Sequence, residues 1–230
     1  MINTLFPHKR YSFINEFVLK DLPDKDFNFI QDKSTVLKLK KGQAIFHEGT
    51  TPIGLYIIRI GKIKKYATGL NGKEHIFYLA KEGEIIGHHE LISEETYSSS
   101  AACLTDSIVN LIPKDVFFKI LEDNPNIKNR LLRSISHEFG VFINNSRILA
   151  QHSVRERCAI SIIKLQEFFS IKEGGGFRIS RKDHSNIVGT SVESLVRVLH
   201  DFKKENVIKI SENLIFIIDI KKLVEICNLI

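Results

Sequence analysis

Residues 189–208 read GTSVESLVRVLHDFKKENVI. Leu195, Val198, Leu199 and Phe202 recur at helical spacing and supply a stripe to bury. Glu193, Arg197 and His200 must then point elsewhere. A carboxylate and a guanidinium four residues apart have two readings. One is a solvated ion pair of little consequence. The other is the reading edge of a helix in the DNA major groove, where Arg can be bidentate to guanine O6 and N7 and Glu can accept from cytosine N4.

Other reactive residue types are present without a chemical pattern. His88 and His89 are adjacent and His75 is close in sequence. Imidazole suits a metal or haem sensor, but consecutive residues of a strand face opposite sides, so the pair reads as a poor chelate. No metal and no cofactor is expected. Cys103, Cys158 and Cys227 are far apart, with no CxxC pair, and read as buried free thiols rather than iron–sulfur ligands. "YSSS" at 97–100 reads as a polar turn whose hydroxyls could also hold a small anion. Glu84, Glu90, Glu94 and Glu95 read as solvated loop charges. There is no GxSxG, HExxH or glycine-rich phosphate loop, so the chain is not expected to be an enzyme.

Length, charge and pattern say what positions these residues. The 230 residues suggest one large domain or two small ones. No apolar run is long enough for a membrane span, and the start lacks a signal-peptide core, so a cytoplasmic protein is expected. The net charge of +6 is uneven: residues 147–209 hold 12 Lys/Arg against 7 Asp/Glu. That local excess favours a polyanion such as nucleic acid.

Residues 36–112 read as short strands punctuated by glycines, with a hairpin turn at Asn71–Gly72, which suggests a β-roll or barrel. "KDVFFKILE" at 114–122 reads as a short helix. A long helix follows, with Asn124 as cap and Pro125 in the first position. Its stripe of Ile127, Leu131, Ile135, Phe139, Phe142 and Ile143 could rest on its own domain, but ~25 residues would give a rod of roughly 38 Å, and a two-helix dimer seam is the favoured reading. A helix over 153–169 comes next. Helices near 181–188 and 191–205, joined by a turn at Gly189–Thr190, precede the hairpin "VIKI"–"SEN"–"LIFIID" and a last helix capped by Asp219. This is a winged helix-turn-helix.

"KKGQAIFHEGTTPIGLYIIRIGKIKKY", "GEIIGHHELI" and "ISRKDHSNIVGTSVESLVRVLHDFKKENVI", with the long helix between them, resemble the Crp–Fnr family of bacterial transcription regulators from about residue 20 onward. The resemblance implies an α+β chain: a cyclic-nucleotide-binding-type β-roll for effector sensing (1–123), a dimerisation helix (124–151) and a winged helix-turn-helix DNA-binding domain (152–230). It implies a homodimer on palindromic double-stranded DNA, and RNA polymerase as a partner if the protein activates. Glu193 and Arg197 occupy the family's base-reading positions. Val192 stands where catabolite-activator members have Arg and Fnr-like members have Val, which favours contact with a thymine methyl. Ser180, Arg181, Lys182 and Ser191 match phosphate-gripping positions.

The effector pocket, Gly87, His88, His89, Ser98, Ser99, Phe142 and Ile143, departs from the family. His88 replaces the Glu that meets the ribose, the phosphate-neutralising Arg falls near Ser98, and Phe142 and Ile143 replace the adenine-contacting Thr and Ser. A buried phosphate without a cation loses its best partner, so cyclic AMP binding is not expected. The alternative function is a ligand-binding signalling module whose helix-turn-helix is vestigial or contacts protein.

Overall fold

A computed structural model describes residues 6–20, 22–172 and 174–229. The chain divides into two compact units, one spanning residues 13–140 and one running from Val141 onward and including residues 6–12.

The first unit begins with helix α1 (Asp24–Lys33) and eight strands: β1 (Thr35–Leu39), β2 (Ala44–Phe46), β3 (Gly54–Ile60), β4 (Lys62–Thr68), β5 (Glu74–Lys81), β6 (Ile85–Ile86), β7 (Ser100–Cys103) and β8 (Ser107–Pro113). They form two antiparallel four-stranded sheets, in the orders β1-β8-β3-β6 and β2-β7-β4-β5. Strand periodicity decides which side chains go inward: on β5, Ile76, Tyr78 and Ala80 are buried and their neighbours are half-buried. The same alternation carries Lys65 of β4 inward beside Ile63, in register with Tyr78. The β4–β5 turn passes through Asn71–Gly72, with Gly72 at φ 71°, as the hairpin signal required.

A short helix α2 (His88–Ser93) follows β6, and α3 (Lys114–Asp123) follows β8. Helix α4 (Pro125–Gln151) is continuous across the division at 140/141. Ile127 and Leu131, 3% and 4% exposed, join Leu55, Ile112, Phe117 and Ile120 in the core of the first unit, and Ile135 packs against it. These three residues were expected on a dimer seam. The structure corrects that: their face of α4 is already covered by the β-roll and α3. The face left open carries Leu132, Ser136, Phe139, Ile143, Ser146 and Ala150, all exposed, at alternating steps of four and three. Phe139 and Ile143 are 68% and 55% exposed, whereas Phe142 is half-buried.

The second unit contains α5 (Val154–Phe168), β9 (Gly176–Arg178), α6 (Arg181–Val188), α7 (Val192–Lys204), β10 (Ile208–Ser211), β11 (Leu214–Ile217) and α8 (Ile220–Cys227). Ser153 and Glu156 form a capping box that starts α5. The two-residue turn between β10 and β11 uses Glu212 and Asn213, both at positive φ, which matches the twist of the flanking strands. β9 completes this three-stranded wing. His184 of α6 is fully buried. The Ser161 hydroxyl donates to the Cys158 carbonyl at 2.8 Å, so its oxygen accepts from His184 Nε2–H, also at 2.8 Å. Cys103, Cys158 and Cys227 are free and buried.

Candidate nucleic-acid interface and buried polar cluster

Helix α6 ends at Gly189, whose φ of 70° is the left-handed conformation that stops a helix. Ser191 then caps α7, accepting from Ser194 N–H at 3.1 Å. This start fixes the rotation of α7. Leu195, Leu199 and Phe202 are buried, and Val192, Glu193, Val196, Arg197 and His200 are all exposed on the opposite face.

Among the described residues no ion pair joins Glu193 to Arg197. The Glu193 carboxyl is held below its usual range by backbone N–H and by the Ser191 hydroxyl instead. Of the two readings of this pair, the ion pair is therefore not formed, and the guanidinium is left for something outside. Arg197 and Glu193 thus present a donor fork and an acceptor on one helical face, with Val192 and Val196, 37% and 46% exposed, as apolar neighbours.

The expected phosphate positions lie at the two helix starts. The Ser180 hydroxyl accepts from Asp183 N–H at 2.9 Å and donates to Asp183 Oδ2 at 2.6 Å, so its proton is directed inward as a cap. Ser191 likewise donates to Ser194 Oγ at 3.1 Å. Arg181 is half-buried, and burial lowers its pKa; Lys182 is exposed.

Sequence reasoning missed Arg157. Its guanidinium donates to the carbonyls of Val188 and His152, both at 2.9 Å, and of Leu149 at 3.3 Å and Gly189 at 3.4 Å. One cation thus joins the carbonyl ends of α4 and α6 and holds the turn ahead of α7. Arginine beside a capping Ser153 looks like a solvated first-turn residue in the sequence, and nothing local signals this role.

The first unit contains a second polar arrangement. Gly87, at φ 83°, turns the chain into α2, and a Cβ there would stand 3.3 Å from the Tyr56 ring and from Tyr97 Oη. His88 and His89 are the first two residues of this helix and not of a strand. They do not diverge: their rings are 4.0 Å apart, and both face Glu138 of α4. His88 Nε2 lies 3.4 Å and His89 Nε2 2.7 Å from Glu138 Oε2. Glu138 and His88 are each 1% exposed. The premise that these histidines are poorly placed to act together is overturned, because α2 replaces the expected strand geometry.

Burial alone would raise the Glu138 pKa, but the contacts from His88 and His89 outweigh it and keep the carboxyl ionised. Burial, with His89 adding to it, pushes the His88 imidazole down to about 4. Glu138 Oε1 accepts from Asn15 Nδ2 at 3.1 Å, Tyr78 Oη at 3.3 Å and Ser134 Oγ at 3.4 Å. Asn15 is itself fixed by Ile85, its Nδ2 donating to the carbonyl at 2.9 Å and its Oδ1 accepting from the N–H at 2.8 Å. Glu138 had a readable signal: with Ile127, Leu131 and Ser134 it continues the buried stripe of α4 at steps of four and three, and a carboxylate there must find partners. Asn15 precedes the segment in which any resemblance was legible.

Glu84 and Glu90 are 1% and 5% exposed, which corrects the expectation of solvated loop charges; Glu94 and Glu95 are exposed. Burial raises Glu84 to about 8. Glu90 Oε1 accepts from Ser98 Oγ at 2.7 Å and lies 3.8 Å from Lys65 Nζ. Lys65 is the one buried Lys or Arg among the described residues. Ser99 is buried with its hydroxyl unpartnered. Of the remaining expected pocket residues, Phe142 and Ile143 belong to the second unit.

Residues 36–124 match the cyclic nucleotide-binding domain, and residues 156–226 the Crp-like helix-turn-helix domain. The fumarate and nitrate reduction regulatory protein of Yersinia pestis is 32% identical over 206 residues, covering 86% of this chain and 77% of that one. Electron transport regulator A of Shewanella oneidensis is 31% identical over 190 residues, covering 79% and 74%. The fold is that of FixK2 from Bradyrhizobium japonicum, with a TM-score of 0.77 at 16% identity over 86% of this chain and 98% of that one. No described helix is long and apolar enough to cross a membrane. A β-roll followed by a capped, outward-facing recognition helix and a wing, together with these matches, places the chain in the Crp–Fnr family of transcription regulators.

Proposed function

We propose that the protein is a homodimeric, sequence-specific DNA-binding regulator that reads palindromic sites through Val192, Glu193 and Arg197. The observation that carries this reading is the exposed face of α7, where Glu193 and Arg197 stand together with no ion pair between them among the described residues. Arg181 and Lys182 supply phosphate contacts, and Ser180 and Ser191 set the helix starts. RNA polymerase is the further partner if the protein activates.

Residues 1–123 act as the sensor, 124–151 as the dimerisation helix and 152–230 as the DNA-binding part. The dimer seam is the open face of α4: Leu132, Ser136, Phe139, Ile143, Ser146 and Ala150 repeat with the 3.5-residue period of a coiled coil. The sensor does not take cyclic AMP. Lys65, its one buried cation among the described residues, already faces Glu90, so a cyclic phosphate would enter beside a carboxylate.

The test is selection from random DNA, run with the protein and with Arg197→Ala. The expected product is an inverted repeat with half-sites about one helical turn, ~34 Å, apart. Arg197→Ala should cost ~1–3 kcal/mol per half-site and relax one G·C position. Equal sharpness from both proteins overturns direct readout by Arg197.

A further inference from the structure

We infer that His88, His89 and Glu138 bind one divalent first-row transition-metal ion, with Zn(II) as the reference ion, and that this ion is the signal the first unit senses. The second clause rests on the regulator reading above; the first does not.

The three ligand atoms lie within 4.8 Å of one another. Metal bonds of ~2.1 Å at tetrahedral angles require ligand atoms about 3.4 Å apart. His88 Nε2 and Glu138 Oε2 are already 3.4 Å apart, and His89 Nε2, at 2.7 Å, needs to withdraw by less than an ångström. Without an ion the arrangement is poorly satisfied. Both ring nitrogens of His88 and Glu138 Oε2 are buried with no aligned hydrogen bond, although buried polar atoms almost always have one. With His88 as the Nδ1–H tautomer, its Nε2 and Glu138 Oε2 each have a lone pair to offer a cation.

The surroundings have the form of a metal site's supporting shell. Asn15, Tyr78 and Ser134 all donate to Glu138 Oε1, which leaves Oε2 as the oxygen turned to the histidines. Two imidazoles and a carboxylate favour Zn(II), Fe(II) or a related ion over Mg(II) or Ca(II), which prefer oxygen alone. Three protein ligands leave a fourth position open. The ligands come from α2 and from α4, so an ion ties the long helix to the β-roll. Glu138 stands two residues before α4 passes into the second unit. A ligand that binds one pose of that helix more tightly shifts its population.

The protein, stripped of metal, is titrated with Co(II) and with Zn(II) in competition with a chromophoric chelator. One ion per chain and visible Co(II) d–d bands of a protein site are expected. His89→Ala, whose ring is part-exposed, and the near-isosteric Glu138→Gln should lose more than about 100-fold in affinity while keeping the wild-type circular dichroism. Tyr78→Phe removes the hydroxyl that donates to Glu138 Oε1 and accepts from Asn15 Nδ2, and should cost ~10-fold. Equal zinc binding by wild type and His89→Ala overturns the site. In parallel, anisotropy on the selected operator should show a zinc-dependent affinity change of fivefold or more, absent in His89→Ala. Operator affinity indifferent to zinc overturns the signalling clause. No DNA binding under any condition overturns the regulator reading, and the titration still judges the site.

Discussion

Replacing Arg157 with Met removes a guanidinium from four carbonyls while leaving most of the side chain's volume. Two of its hydrogen bonds, to Val188 and His152, are 2.9 Å long, and the others, to Leu149 and Gly189, are 3.3 and 3.4 Å. Charged hydrogen bonds contribute ~1.5–3 kcal/mol each. Arg157 is only half-buried, so water can replace part of what is lost. Counting the two short bonds at the lower figure and the two long ones as nearly nothing leaves about 2–3 kcal/mol. For a unit of this size that corresponds to roughly 10–20 °C in melting temperature. The loss should be local, so hydrogen exchange at the amides of α6 and α7 is the preferred assay, since the two units need not unfold together. Those amides should exchange about 30- to 150-fold faster, and amides of β3 and β8 should not change. Arg157→Lys has one ammonium for two separated groups of carbonyls and should recover less than half. Full recovery by Lys, or a change below about 0.5 kcal/mol in the Met variant, would refute the claim that this fork holds the helix ends together.

The two faces of α4 separate stability from assembly. Leu131→Asp places a charge in the core of the first unit and should unfold that unit, at several kcal/mol, whereas Leu132→Asp and Phe139→Asp should leave the fold intact and give monomers by sedimentation; a folded dimer from Phe139→Asp would remove α4 from the seam. His184 is held near 3 by burial, with Arg181 adding to the shift, against about 6.5 when unfolded. Its folded pKa is depressed, so the unfolded chain takes up a proton first and stability falls as pH drops below about 6.5. Between pH 7 and pH 5 the second unit should lose about 2 kcal/mol through this residue. Urea unfolding of wild type against His184→Gln measures it, and parallel pH slopes for the two would contradict the buried neutral state.

Much of the second unit was determined by local chemistry. Ser153, Ser180, Ser191 and Asp219 cap their helices because a short oxygen side chain meets the free N–H groups of the next turn. Gly189 stops α6 because it accepts positive φ, and the hydrophobic stripe of α7 fixes which face Glu193 and Arg197 occupy. These are interactions over three or four residues, so the sequence carries them in full. Only the tertiary structure decided what lies opposite a given face. Two stripes ran along α4, and the packing of the β-roll and α3, not the period, assigned Ile127 and Leu131 to the core and left Leu132 and Phe139 outside. His88, His89 and Glu138 are 49 residues or more apart across the gap, and Asn15 lies a further 73 residues before His88. Burial in one core made a single polar cluster of them, and no local spacing records such a meeting.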